Sequence, residues 1–189
     1  MKKYQIQIAL TRFQPKIWRR LLIPSDLLLE DFHMIIQISM GWTNSHLHQF
    51  IKNQTFYTKR MPGDDTWGDL NNVDYKKIRI SDLLKKEKEK IVYEYDFGDG
   101  WEHEVLLEKI IPEDENLKFP VCLAGKMACP PEDCGGVWGY ADLLEILKNP
   151  KHEEYESYME WLGGEFDPEH FDKEAVNKML GKFRMHRIA

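Results

Sequence analysis

The apolar residues of this chain change their period once. Through the N-terminal two-thirds they recur at every second position; from about residue 138 they recur at every third and fourth. A period of two lines one face of a strand, and a period near 3.6 lines one stripe of a helix. Strands first and helices afterwards is α+β grammar, because alternating βαβ units would interleave the two periods.

Tyr4, Ile6, Ile8 and Leu10 alternate with Gln5, Gln7 and Ala9, which predicts a half-buried strand. Lys16–Ile23 predicts its antiparallel partner, with Trp18 in the core and Pro24 ending the ladder. Ser25 or Asp26 is the expected cap of a helix through Leu28, Phe32, Ile35 and Ile36 to Met40, stopped by Gly41. Residues 46–60 predict a hairpin and residues 61–77 a polar loop. Ser81 is the expected cap of a short helix over Asp82–Lys86. Tyr93, Tyr95 and Phe97 mark a strand that turns at Gly98-Asp99-Gly100 and returns as WEHEVLLEKI. Three helices follow, on Tyr140/Leu143/Leu144/Leu147, Tyr155/Tyr158/Met159/Leu162 and Val176/Met179/Leu180/Phe183. Gly163-Gly164 ends the second and Asp172 caps the third. The reading is one domain over residues 1–189, strand-rich to about 125 and helical over about 138–185.

Bulk composition narrows the function. With 42% hydrophobic residues the chain supplies a core, and its net charge of −6 argues against non-specific binding to nucleic acid or anionic membrane. Three cysteines cannot all pair within one chain. MKKYQIQIALTRF has no sustained apolar run, so no signal peptide is expected, and no window approaches the roughly 20 apolar residues of a membrane span. The expected location is the cytoplasm, with no membrane partner.

The chemistry-bearing residues gather in a few segments, and each has a bland alternative. In ACPPEDCGGVWGY, Cys129 and Cys134 are x4 apart and Cys122 is x6 upstream, neither being the x2 knuckle of a zinc ribbon. His46 and His48 would share a strand face and so one ion, which makes zinc on Cys129, Cys134, His46 and His48 a candidate; no ligand quartet closes by spacing, and no cofactor is the main expectation. GGVWGY lacks the Lys-Ser/Thr of a phosphate loop, and Asp-Phe-Gly at 96–98 stands without the rest of a kinase. A helix starting near Gly139 can offer free N–H groups to an anion. His48, Asp96, Asp99, His103, Glu132 and Asp133 can form a carboxylate–imidazole pocket if their loops meet; alternatively the acids cap helices and turns. Lys16, Arg19 and Arg20 around Trp18 have the composition of a nucleic-acid-tracking strand, or the arginines pair with acids. Pro130, Pro131, Gly135, Gly136, Gly139 and Tyr140 read as a rigid corner between sheet and helices.

Taken in order, IWRRLLIP, MGWTNSHLHQF, YDFGDGWEHEVLLE, CLAGKMACPPEDCGGVWGY and YMEWLGGEFDPEHFD resemble the plasmid pRiA4b ORF-three-like family, also met as passenger proteins of insertion elements. The resemblance runs from about Tyr4 to Leu180. It rests on Trp18, Arg19, Arg20, His48, Phe50, Tyr95, Asp96, Gly98, Asp99, Trp101 and His103, and on Pro130, Pro131, Glu132, Asp133, Gly135, Gly136, Gly139 and Tyr140; it does not require the cysteines at 129 and 134. It implies a roll-like α+β body with appended helices, and kinship without a reaction. No recombinase constellation is visible. The resulting expectation is a binding or accessory module linked to mobile elements, with a protein or nucleic acid as partner. The alternatives are a metal-dependent, hydrolase-like enzyme using His48, Asp96, His103, Glu132 and Asp133, and a nucleic-acid binder using the Lys16–Arg20 strand.

Overall fold

The computed structural model describes residues 2–60, 63, 71–112 and 120–186. Its frame is an eight-stranded sheet in the order β5-β4-β3-β6-β7-β1-β2-β8. The strands are β1 (Lys3–Leu10), β2 (Trp18–Pro24), β3 (His48–Lys52), β4 (Thr55–Thr58), β5 (Asn72–Asp74), β6 (Lys90–Tyr95), β7 (Trp101–Ile111) and β8 (Val121–Lys126). Every pairing is antiparallel except β4 with β5. The helices are α1 (Leu29–Met40), α2 (Ile80–Leu83), α3 (Gly136–Leu147), α4 (Tyr155–Leu162) and α5 (Lys173–Leu180). The architecture is α+β, and among the described residues three of these helices follow the last strand.

Strand alternation sorts the two faces. Ile6 and Ile8 of β1, Leu21 and Ile23 of β2 and Val105 and Leu107 of β7 are buried with Phe32, Ile35 and Ile36 of α1. On the opposite face Arg20 grips Glu108 through Nε at 2.6 Å and a terminal nitrogen at 2.7 Å, and Gln5 donates to the same carboxylate at 2.7 Å. Trp18 belongs to this polar face, under the Arg20 guanidinium at 5.2 Å, and not to the core as the pattern predicts.

Two helix starts also differ from expectation. Helix α1 begins at Leu29 without a side-chain cap, and a passing segment exchanges backbone hydrogen bonds with its start: Leu29 N–H donates to the Ile78 carbonyl at 2.9 Å, and Ile80 N–H donates to that of Leu27 at 2.8 Å. Helix α2 is a single turn in which Asp82, inside the helix, accepts from the Arg79 N–H at 2.8 Å. Part of the expected loop 61–77 is ordered as β5 and a 3₁₀ turn (Tyr75–Lys77); residues 61, 62 and 64–70 lie outside the described residues. Gly41 and Gly163 do end their helices in the left-handed region, and Asp172 accepts from Ala175 N–H at 2.9 Å as a cap.

Strand β8 pairs with β2 and would leave an open edge, which proteins generally cover or blunt. Asn177 of α5 covers it: its amide accepts from Cys122 N–H at 2.7 Å and donates to the Cys122 carbonyl at 2.9 Å, imitating one ladder step. Asn177→Ala should cost about 1–3 kcal/mol, since a peptide group loses both partners at once. Urea midpoints of the two proteins check this, and an unchanged midpoint would refute the edge-cover role.

Candidate functional site

The ACPPEDCGGVWGY segment is fastened from three sides. Trp42, after α1, donates its indole N–H to the Pro130 carbonyl at 3.0 Å. Glu132 accepts from Tyr95 O–H at 2.5 Å with one oxygen, and from the Thr43 hydroxyl and N–H at 2.5 and 3.0 Å with the other. Burial pushes the Glu132 carboxyl up, but the Thr43 and Tyr95 hydrogen bonds hold it below its ordinary value. Asp99, at the β6–β7 turn, accepts from Gly135 N–H at 3.2 Å and so occupies the start of α3. A carboxylate thus stands beside the helix start, where negative charge is favoured. Gly136 lets the Asp99 backbone pass so close that a Cβ would overlap its carbonyl oxygen, and Gly139 does the same for that of Cys134.

This fastening brings part of the expected pocket together. Asp96 at the end of β6, Asp133 in the corner and His46 before β3 meet, with His46 Nδ1 3.6 Å from Asp96 Oδ2 and Nε2 3.3 Å from Asp133 Oδ1. The second oxygen of Asp96 accepts from Gly98 N–H at 3.0 Å, which fixes the carboxylate.

His48 goes elsewhere. Strand β3 begins only at His48, so His46 lies in the preceding loop and the two do not share a strand face. The His48 ring lies flat on His33 of α1, with centroids 3.4 Å apart and planes 2° from parallel. Such a stack cannot hold two imidazolium ions, which at that spacing would repel strongly. Burial pushes His33 down to about 4 and His48 to about 3, the latter helped by its neighbour. His33 Nε2 meets Asn44 Oδ1 at 2.7 Å and Nδ1 meets Tyr93 O–H at 2.9 Å. With the amide oxygen accepting, Nε2 carries the proton and Nδ1 accepts from the phenol. His48 Nε2 bonds the Tyr75 hydroxyl at 2.8 Å.

Above these rings opens a cleft of about 710 Å³, walled by Met34, Leu47, Phe56, Tyr75 and Phe97 with His33, Asn44, His46 and His48 also lining it. Lys59 and Glu30 pair at 2.7 Å among its lining residues. His33 and Tyr75 were not singled out by sequence reading. His33 and Gln37 are polar residues at i, i+4 on a buried helical face, and that is a readable signal; Tyr75 had none.

The remaining candidates lie apart. His103 alternates with Trp101 and Val105 into the core, packs edge-on to Trp42 at 5.3 Å and gives its Nδ1 proton to the Trp101 carbonyl at 2.9 Å; burial pushes it to about 4. It therefore does not join the carboxylates, and a five-residue hydrolase cluster does not assemble. Burial raises the Cys129 thiol strongly and pushes Cys134 up to about 12, so both are protonated packing groups. Among the described residues the metal-compatible grouping is His46, Asp96 and Asp133, without His48 or either cysteine. Arg19 is a correction to the nucleic-acid strand: it is buried, donates to the carbonyls of Ser39, Trp18 and Lys126 at 2.8–3.0 Å, and stacks on Phe171 at 4.2 Å. Arg20 is held by Glu108, and Lys16 donates to Gln7 at 3.0 Å. Tyr140 is a core residue against Phe13, 4.9 Å between rings.

Fold and site together define a class: an α+β protein in which a hairpin turn and a Pro-Gly corner lock together beside a histidine-floored cleft at one end of a mostly antiparallel sheet. The chain belongs to the plasmid pRiA4b ORF-3-like family, whose model matches residues 2–175. It is 34% identical over 174 residues to uncharacterized protein y4hQ of Sinorhizobium fredii, covering 92% of this chain and 85% of that one. It also resembles the crystal structure of a protein of unknown function from Methanosarcina mazei Go1, at 41% identity and a TM-score of 0.79, over 92% of this chain and 96% of the other. No helix among the described residues is long and apolar enough to cross a membrane.

Proposed function

We propose that the protein is a binding module whose cleft takes a small, mainly apolar ligand bearing a planar heteroaromatic ring. One observation carries this reading: a cleft of about 710 Å³ with apolar walls has a floor of stacked, uncharged imidazoles already fixed by hydrogen bonds. Largely preformed apolar cavities with a few oriented polar groups are the usual form of small-molecule sites. A flat π-system can extend the imidazole stack, and neutral floor groups exact no charge-desolvation cost. The free thiols suit a cytoplasmic location, and the plasmid in the family's name supports a mobile-element setting.

Titration with a panel of heteroaromatic fragments, followed by amide chemical shifts, tests the reading. Shifts are expected to cluster on α1, β3 and β4. Leu47, 62% exposed at the rim, can be changed without cost to the core. Leu47→Glu should weaken fragment binding at least about tenfold by placing a charge against the apolar wall. Shifts mapping elsewhere, or none at millimolar fragment, would overturn the proposal.

A further inference from the structure

We infer that His46, Asp96 and Asp133 form a binding site for a divalent transition-metal ion. The three side chains each offer one donor atom, and those atoms lie within 4.8 Å of one another. Donors about 2.1 Å from a shared ion stand up to about 4 Å apart, so the three need to close by less than about 1 Å. The residues come from three separate segments that the corner fastens together, and this makes the grouping a product of the fold and not of one acidic run.

The chemistry of the three also leaves a positive centre wanting. The Nε2 atom of His46 is buried and has no hydrogen-bond partner, although Asp133 Oδ1 stands 3.3 Å away in poor alignment. A buried ring nitrogen in that condition is costly unless something satisfies it. Asp96 is buried as well, with one oxygen held by backbone N–H groups and the other turned toward His46. A bound cation would take the nitrogen lone pair and balance two carboxylates in one step.

The donor set selects the ion. One imidazole and two carboxylates suit zinc, manganese, iron or cobalt; magnesium and calcium prefer oxygen throughout. Three protein ligands leave coordination positions open, and the Asp133 side chain is 70% exposed, so those positions reach solvent. His46 also lines the cleft, which places the ion at its rim. The inference stands on these three residues alone and is independent of what the cleft binds.

The test uses the whole chain after dialysis against EDTA. Zinc binding is followed by calorimetry and cobalt binding by its visible ligand-field bands. One equivalent of metal is expected in the micromolar range or tighter. His46→Gln and Asp133→Asn should each weaken binding at least about tenfold, while His170→Gln, at an exposed histidine away from the site, should leave it unchanged. Asp133 is exposed, so its variant is expected to fold as wild type, checked by circular dichroism. Absence of binding at 100 µM zinc, or binding retained in both His46→Gln and Asp133→Asn, would overturn the site.

Discussion

Gly136→Ala is expected to destabilise the protein by about 3 kcal/mol or more, far beyond a glycine-to-alanine change that meets only a backbone preference. Two costs coincide at this residue. Its φ of +68° lies in the left-handed region, where a Cβ costs roughly 1–2 kcal/mol. The added Cβ would also overlap the Asp99 carbonyl oxygen, a backbone atom that cannot swing aside. Either the β6–β7 turn or the start of α3 must retreat, and the Asp99–Gly135 hydrogen bond of 3.2 Å goes with it. Gly163 is the matched control. Its φ is +72°, nearly the same, but a Cβ there meets nothing within 4 Å. Gly163→Ala should therefore lose only about 1 kcal/mol. Urea unfolding of both variants separates conformational preference from close approach. Equal losses would show that the corner is not locked as described.

Acid should unfold this protein well before its carboxylates are exhausted. His33 and His103 are buried and uncharged, each held near 4 in the folded chain against 6.5 when exposed. Between those values the unfolded state binds protons that the folded state refuses, so stability falls as pH drops through the window. It is fully present above pH 6.5 and spent by about pH 4. At about 1.4 kcal/mol per unit of pKa difference, each residue accounts for on the order of 3 kcal/mol. Together, at about 6 kcal/mol, they match the lower end of the roughly 5–15 kcal/mol by which domains are stable. Urea midpoints at pH 7.5, 6, 5 and 4.5 should decline steeply, with uptake of about two protons per unfolding event from these residues. His103→Gln keeps a polar group near the Trp101 carbonyl but removes one titration, so its pH profile should be shallower. A wild-type midpoint that stays flat between pH 6.5 and 4.5 would refute the buried neutral state of these rings.

Much of the frame is legible in the sequence. The alternation of Tyr4, Ile6, Ile8 and Leu10 placed β1, the glycines at 41 and 163 ended their helices, and Asp172 capped α5, because these signals act within a few residues of themselves. The family motifs likewise pointed to the hairpin and the corner. Strand β8 and β5 escaped notice, since an edge strand needs little alternation and takes its order from the neighbour it pairs with.

The site was legible only as an inventory. Sequence determined that Asp96, Asp99, Glu132 and Asp133 stand in turns rich in glycine and proline, where the chain can bring them inward. Tertiary structure decided their work: Glu132 and Asp99 fasten the corner, whereas Asp96 and Asp133 face His46. It also divided the histidines. His46 and His48 look equivalent along the chain, but the ladder with β6 starts at His48, so one stacks on His33 and the other turns to the carboxylates. Arg19 and Arg20 were separated the same way, one buried beneath α1 and one paired on the open face, because adjacent strand residues point to opposite sides. Local preferences are written in neighbouring residues. Which polar groups meet depends on where strand registers begin and which faces get covered, and both are set by distant segments that a local reading does not bring together.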